Sequence, residues 1–300
     1  MDTQSFCPYE KCNLCAHRCN VDRAHGQLGR CGAGDKLIIA RAALHKWEEP
    51  IISGNRGSGA IFFSGCSLGC LYCQNREISR LQIKKEISVE RLSEIMLELS
   101  ALGAQNINLV TPTHFAPSVI SATEKARCGG LDIPIVYNTS SFDSPETVRA
   151  LDSTVNVYLA DMKYYMQRLA EKYSFAKEYP NAAKAAIDEM VKQKGRAVIE
   201  NSLIKSGVVI RILLLPGNVA DAKLSCSYIL DRYGDDVYVS LMSQYTPPPN
   251  MPTPLDRKVL HSEYEELCDF AIKKGLKNGF FQDVGSASED FIPEFDLTGV

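Results

Sequence analysis

Three cysteines with the spacing C-x3-C-x2-C, Cys66, Cys70 and Cys73, are the residues of this chain best suited to metal chemistry. They directly follow a strand-like apolar segment, Ala60–Phe63. A four-iron cluster held by only three thiolates keeps open coordination positions on one iron, and open positions are where metal chemistry occurs. Four cysteines would be typical of an electron carrier, whereas three predict a reaction centre.

A second group of cysteines, near the N-terminus, has a different spacing. Cys12, Cys15, Cys19 and Cys31 form C-x2-C-x3-C-x11-C, and Cys7 stands outside this pattern. Four thiolates complete a tetrahedral ligand set, which suits both zinc and a four-iron cluster. The spacing therefore predicts a metal site that holds zinc or an auxiliary cluster. Unliganded cysteines are the alternative.

Length, charge and composition limit the class of protein. A chain of 300 residues with a net charge of −3 and no long run of one sign is typical of a folded enzyme rather than of a protein that binds nucleic-acid polymers. No stretch approaches the roughly 20 apolar residues of a membrane span, and the N-terminus has no signal-peptide pattern. We therefore expect a cytoplasmic protein in which clustered cysteines bind metal rather than form disulfides.

Beyond residue 59, short apolar runs alternate with longer amphipathic segments. Several runs lack polar alternation, as expected for parallel strands that are covered on both faces. Ser88 and Ser144 are predicted N-caps of two helices. The predicted strands are 60–64, 106–110, 134–138, 155–160, 208–215 and 237–241. The predicted helices are 89–102, a helix from 145, 181–194, 221–233 and 255–274.

This alternation predicts an α/β fold, namely a partial (β/α)6 barrel that is open on one side. We expect a cysteine-rich metal-binding extension over residues 1–58, the barrel over 59–245, and a C-terminal helix and tail over 246–300 that pack on it. In such barrels the chemistry lies at the C-terminal ends of the strands. The three-cysteine loop follows the first strand and therefore lies at that end.

The strand, the C-x3-C-x2-C spacing and Tyr72 before the last cysteine together resemble the signature of radical S-adenosylmethionine (SAM) enzymes. A structural zinc loop is the alternative for the motif alone. The resemblance extends over most of the chain and is greatest to the PflX-like branch of the pyruvate-formate-lyase-activase-related group. The resembling segments are 66–75, 108–114, 136–140, 158–164, 211–218 and 240–245.

The resemblance implies two cofactors, a [4Fe–4S] cluster on Cys66, Cys70 and Cys73, and SAM on its open iron. Electron transfer into the sulfonium would release a 5′-deoxyadenosyl radical, which abstracts a hydrogen from the substrate. The protein then positions the reactants and excludes water. Such enzymes are oxygen-sensitive and need a reductant such as flavodoxin or ferredoxin.

Polar residues at the later strand ends are the candidates for binding SAM. Asp161 and Lys163 are two apart on a strand, face the same side and could both reach a zwitterionic ligand. A buried salt bridge that closes the barrel is the alternative for this pair. The other cofactor candidates are Tyr72, Thr111, Thr113, Asn138, Ser140 and Arg211. The substrate candidates are His114, Gln244 and Tyr245.

Three hypotheses for the reaction follow. In the first, the enzyme acts on a small molecule, and the specific expectation is a lyase that releases queuine from queuosine or its 5′-phosphate. Relatives often carry His at the position that follows the arginine corresponding to Arg211. This chain has Ile212 there, which favours a substrate-binding side that differs from that of those relatives. In the second, the protein is an activase that places a glycyl radical on a partner enzyme. In the third, it is a non-catalytic metal-binding module that regulates a partner.

Overall fold

The computed structural model describes residues 9–282 and 293–300, so Cys7 lies outside the described residues. Six parallel strands form the centre of the molecule. They are β2 (Ser58–Phe63), β4 (Ile107–Val110), β5 (Ile135–Thr139), β6 (Val157–Asp161), β8 (Leu203–Leu213) and β9 (Tyr238–Met242). Each of the six predicted strands is present. The predicted strand 208–215 starts earlier and ends at Leu213.

Further strands extend this sheet at both edges. The strands are β1 (Leu37–His45), antiparallel to β2, β3 (Lys85–Ile87), antiparallel to β1, and β10 (Gly279–Phe281), parallel to β9. A short strand, β7 (Val198–Glu200), pairs with β8. Within the described residues the order is β10-β9-β8-β6-β5-β4-β2-β1-β3, and the two edge strands do not meet. The predicted α/β partial barrel is therefore confirmed, and β1 adds a strand from within residues 1–58.

Helices connect the strands, and the longer ones cover the outside of the sheet. They are α1 (Pro50–Ser53), α2 (Arg76–Ser79), α3 (Val89–Ala101), α4 (Ala116–Cys128), α5 (Pro145–Ala150), α6 (Gln167–Ser174), α7 (Tyr179–Lys194), α8 (Val219–Tyr233) and α9 (His261–Lys274). Ser88 and Ser144 cap α3 and α5 as predicted, because each hydroxyl accepts the backbone N–H three residues on. The predicted helix 255–274 begins only at His261.

The short helix α1 plugs the inside of the barrel. Its Ile52 is fully buried and packs with Val136, Leu159 and Val209, which point inward from three parallel strands. The segment just before α1 therefore lies inside the barrel, one layer closer to the C-terminal ends of the strands. This layer forms the floor of the cavity described next.

Candidate active site

A cavity of about 410 Å³ lies at the C-terminal ends of the parallel strands, where Val110, Thr139 and Asp161 line it. The three-cysteine loop lines one part of it, and Glu48, Glu49 and Arg211 line another. We call Glu48, Glu49 and Arg211 the carboxylate floor. They form the bottom of the cavity, since Glu49 immediately precedes α1, the helix that plugs the barrel. The volume is within the range of pockets that hold small molecules.

The three-cysteine loop connects β2 to α2 and presents its thiols to this cavity. Cys66, Cys70 and Cys73 are half-buried, and all three line the cavity. Burial and the neighbouring Cys66 and Cys70 thiols raise the pKa of Cys73 to about 12. Three thiols this close repel one another when ionised unless a metal compensates their charge. The donor set therefore fits a [4Fe–4S] cluster with one open iron.

Gly65 fixes the backbone that enters this loop. Its φ is +91°, and a Cβ there would lie 3.1 Å from both the Cys31 carbonyl oxygen and His114 Nε2. Only glycine avoids both the strained backbone and the close contacts. The His114 Nε2 lies 2.8 Å from the Ser64 carbonyl oxygen, and burial lowers the pKa of His114 to about 4. The neutral imidazole thus positions the loop backbone.

A chain of hydroxyl groups leads to Cys70. Ser174 Oγ, at the end of α6, donates to Cys70 Sγ at 3.1 Å. The Tyr164 hydroxyl oxygen lies 2.7 Å from Ser174 Oγ and 2.8 Å from the Tyr72 hydroxyl oxygen. Burial raises the pKa of both tyrosines well above 10, so both remain neutral hydrogen-bond partners. These contacts therefore link the Tyr72 hydroxyl to the Cys70 sulfur through Tyr164 and Ser174.

Replacing Ser174 with alanine is expected to lower the midpoint potential of the cluster by tens of millivolts. The reduced cluster is more negative, and a hydrogen bond to a ligating sulfur stabilises it. Anaerobic redox titration of the cluster would measure the shift, with Ser153→Ala, an exposed serine, as control. An unchanged potential in Ser174→Ala would show that this hydroxyl does not act on the cluster.

Asp161 and Lys163 line the cavity and contact each other. Lys163 Nζ lies 2.6 Å from Asp161 Oδ2, so the buried salt bridge considered for this pair is present. Burial opposes the charged ammonium, but the Asp161 carboxylate and the Cys70 thiol outweigh it and raise the pKa of Lys163. A fixed positive charge therefore lies beside the three-cysteine loop.

The carboxylate floor is built around Arg211. Its Nε lies 2.8 Å from Glu49 Oε1 and its Nη2 lies 2.7 Å from Glu49 Oε2, while Nη2 also contacts Glu48. Burial opposes ionisation of Glu49, but the Arg211 guanidinium outweighs it and lowers the pKa of this carboxyl. Arg211, a sequence candidate for the SAM carboxylate, is thus engaged by two glutamates. Two carboxylates against one guanidinium leave the floor net negative.

Glu48 ties the floor to two further strands. Its Oε1 accepts hydrogen bonds from Asn108 Nδ2 at 2.7 Å and from Asn138 Nδ2 at 3.4 Å. Sequence reasoning missed both glutamates, because they belong to no motif. The available signal was a pair of adjacent acids, Glu48 and Glu49, between a strand and a proline, in a segment that the fold places inside the barrel.

The cavity brings most of the sequence-predicted residues together. Apart from the three cysteines, those that line it are Tyr72, Thr111, Asn138, Ser140, Asp161, Lys163, Arg211, Gln244 and Tyr245. Thr113 and His114 lie in the wall behind it, since Thr113 Oγ1 is 3.4 Å from Thr139 Oγ1 and His114 holds Ser64. The Tyr245 hydroxyl donates to the Leu255 carbonyl at 2.7 Å, so only its ring faces the cavity.

The N-terminal cysteines form a separate group. Cys12 is buried, and Cys15, Cys19 and Cys31 are half-buried. Burial and the three other thiols raise the pKa of Cys15 to about 12, which indicates that the four thiols are neighbours. Within residues 9–282 and 293–300, no three His, Cys, Asp or Glu side chains lie where they could share one metal ion. Binding of a single zinc ion would therefore require these side chains to move together.

Comparison with known proteins identifies the class of enzyme. Residues 60–222, more than half of the chain, match the model of the radical SAM superfamily, and the chain belongs to that superfamily. Such enzymes use a [4Fe–4S] cluster, SAM and an external reductant. The part of the chain that the structure describes has no helix that is both long and apolar enough to cross a membrane.

One curated relative and several solved structures are similar to this chain. An uncharacterised protein of Methanocaldococcus jannaschii is 26% identical over 279 residues, covering 89% of this chain and 76% of that protein. A radical SAM methyltransferase from Sphaerobacter thermophilus superposes with a TM-score of 0.52 at 17% identity, covering 77% and 69% of the two chains. SAM-bound SuiB from Streptococcus suis has a TM-score of 0.50 at 12% identity, covering 76% of this chain and 48% of SuiB. These structural likenesses establish the fold.

Proposed function

We propose that this radical SAM enzyme abstracts a hydrogen from a small molecule that binds between the three-cysteine loop and the carboxylate floor. The observation that supports this proposal is the shared cavity, which is lined by Cys66, Cys70 and Cys73 and also by Glu48, Glu49 and Arg211. When bound on the three thiolates, the reduced cluster supplies the electron that cleaves SAM.

The chain's own residues would orient SAM and keep water out. Lys163 provides a fixed ammonium for the SAM carboxylate, and Asp161 provides a carboxylate for its amino group. Asn138 and Ser140, on the neighbouring strand end, offer hydrogen bonds to ribose hydroxyls. Phe62, the ring of Tyr245 and other apolar side chains would limit the access of water, which is a competing hydrogen-bonding partner.

The negative floor indicates the chemical class of the substrate. A cationic amine or an amidine-like edge of the substrate would neutralise the excess carboxylate at the floor, whereas an anionic group placed against the floor would be repelled. Queuosine and its 5′-phosphate carry a protonatable secondary amine next to a flat base. Release of queuine from one of them is therefore our specific proposal for the reaction.

The substrate assay separates this proposal from the alternatives. The protein is purified without oxygen, reduced, and incubated with SAM and with queuosine, queuosine 5′-phosphate or guanosine. Queuine released only from the queuosine compounds, together with 5′-deoxyadenosine, is the expected result. Formation of 5′-deoxyadenosine without queuine would exclude the lyase reaction but would still demonstrate radical SAM activity. A glycyl radical on an added partner enzyme would instead identify an activase.

Replacing Glu48 with glutamine is expected to raise the KM for the cationic substrate about tenfold or more, because a hydrogen bond to a charged group contributes roughly 1.5–3 kcal/mol. Steady-state kinetics with the compound that stimulates 5′-deoxyadenosine formation would measure it. Glu171→Gln, an exposed glutamate on α6, is the matched control. An unchanged KM in Glu48→Gln would place the substrate away from the floor.

A further inference from the structure

Arg23 is a fully buried arginine beside the N-terminal cysteines. Its side chain has no exposed surface, and its Cζ lies 4.7 Å from the centre of the Tyr9 ring and 5.7 Å from that of Phe115. Nε donates to the Gly34 carbonyl oxygen at 3.0 Å, and Nη2 contacts the same oxygen. The remaining nitrogen, Nη1, donates to Cys12 Sγ at 3.7 Å.

This guanidinium has no carboxylate partner among the described residues. No Asp or Glu of residues 9–282 or 293–300 forms an ion pair with it. A carbonyl group and two ring faces supply only partial negative charge, while burying an uncompensated cation costs several kcal/mol. The thiols of Cys12 and Cys31 lie next to this side chain: Cys12 Sγ is 3.7 Å from Nη1, and a Cβ at Gly29 would lie 3.2 Å from Cys31 Sγ and 4.0 Å from Arg23 Cδ.

We propose that Cys12, Cys15, Cys19 and Cys31 bind a metal centre as thiolates and that Arg23 is its buried counter-ion. Four thiolates around either Zn²⁺ or an oxidised [4Fe–4S] core carry a net charge of about −2, so both centres supply the anion that Arg23 needs. This proposal is independent of the substrate and of the reaction at the three-cysteine loop.

The position of this centre indicates what it does for the catalytic loop. The Cys31 carbonyl lies against Gly65, which immediately precedes Cys66. Cys15 forms a backbone bridge with Asp143, just beyond the end of β5. The metal would fix Cys31 and Cys15, and through them the N-terminal segment would hold the backbone that carries the catalytic cysteines. The centre is thus an anchor for that loop.

The test uses a variant in which Cys66, Cys70 and Cys73 are all alanine, so that the catalytic cluster cannot form. Elemental analysis and absorption spectroscopy of the anaerobically purified protein are expected to find about one zinc or about four iron per chain. Either metal supports the proposal, and the spectrum distinguishes them. Further replacement of Cys31 with serine should remove the metal, whereas Cys128→Ser, at an exposed cysteine, should retain it.

The role of Arg23 is tested separately in the same background. Arg23→Met is expected to weaken the metal affinity about 10- to 100-fold in competition with a chelator, and Arg23→Lys should weaken it less because the charge remains. Circular dichroism confirms that each variant is folded. If the folded variant with alanine at Cys66, Cys70 and Cys73 contains neither zinc nor iron, the proposal of an N-terminal metal centre is wrong. If Arg23→Met binds the metal as tightly as the same background with Arg23 intact, the proposal that Arg23 is the counter-ion is wrong.

Discussion

Replacing Cys70 with alanine is expected to abolish reductive cleavage of SAM, reducing 5′-deoxyadenosine to the background of the reductant alone. Cys70 is one of only three thiols in its loop, and Ser174 is positioned to donate a hydrogen bond to its sulfur. With two thiolates the cluster is incompletely held, and no other cysteine lines the cavity within the described residues. Quantification of the nucleoside after anaerobic reduction measures the effect.

Cys128→Ala is the matched control for this experiment. Cys128 is an exposed cysteine at the end of α4, so its replacement should leave 5′-deoxyadenosine formation unchanged. Iron content should fall in Cys70→Ala and not in the control. Cleavage of SAM at the wild-type rate by Cys70→Ala would contradict the assignment of the catalytic cysteines.

Replacing Arg211 with methionine is expected to destabilise the fold by about 3–5 kcal/mol, because removal of one partner leaves uncompensated buried charge. The carboxylates of Glu48 and Glu49 would then lie next to each other inside the barrel without a cation. Since Glu48 also binds Asn108 and Asn138, the loss would affect three strands. Chemical denaturation monitored by circular dichroism gives the free energy of unfolding.

Two further variants test whether the lost stability of Arg211→Met comes from the buried carboxylates. Combining Glu49→Gln with Arg211→Met removes one carboxylate as well as the guanidinium, and should recover part of the lost stability. Arg91→Met breaks exposed pairs with Glu94 and Glu98 on α3 and should cost less than about 1 kcal/mol. Equal losses in Arg211→Met and Arg91→Met would show that the floor network does not stabilise the barrel.

The features predicted correctly from the sequence are those with local causes. Ser88 and Ser144 cap their helices through bonds to residues three positions away, and apolar runs such as Ile107–Val110 become buried parallel strands. The three-cysteine loop directly follows the first barrel strand, as the sequence predicts, because its three cysteines lie within eight positions of one another and just after the apolar run. Most of the other predicted binding residues line one cavity, because they stand at the C-terminal ends of neighbouring strands.

The features that the sequence did not predict depend on distant contacts. Arg211 binds Glu49 across 162 positions of the chain, so a pattern around Arg211 could not identify its partner. β1 joins the sheet through pairing with β2, a contact that the sequence pattern of residues 1–58 does not predict. The cysteine spacing predicts a metal site near the N-terminus. Only the fold shows that the guanidinium of Arg23 is buried beside these cysteines.

The electron paramagnetic resonance spectrum of the reduced protein, recorded before and after addition of SAM, tests most directly whether the three-cysteine loop is the reaction centre. Three thiolates leave one iron of the cluster open, so SAM should bind that iron and change the g-values of the signal. The change should be absent in Cys70→Ala. A cluster signal that is identical with and without SAM would contradict the account of this loop as the reaction centre.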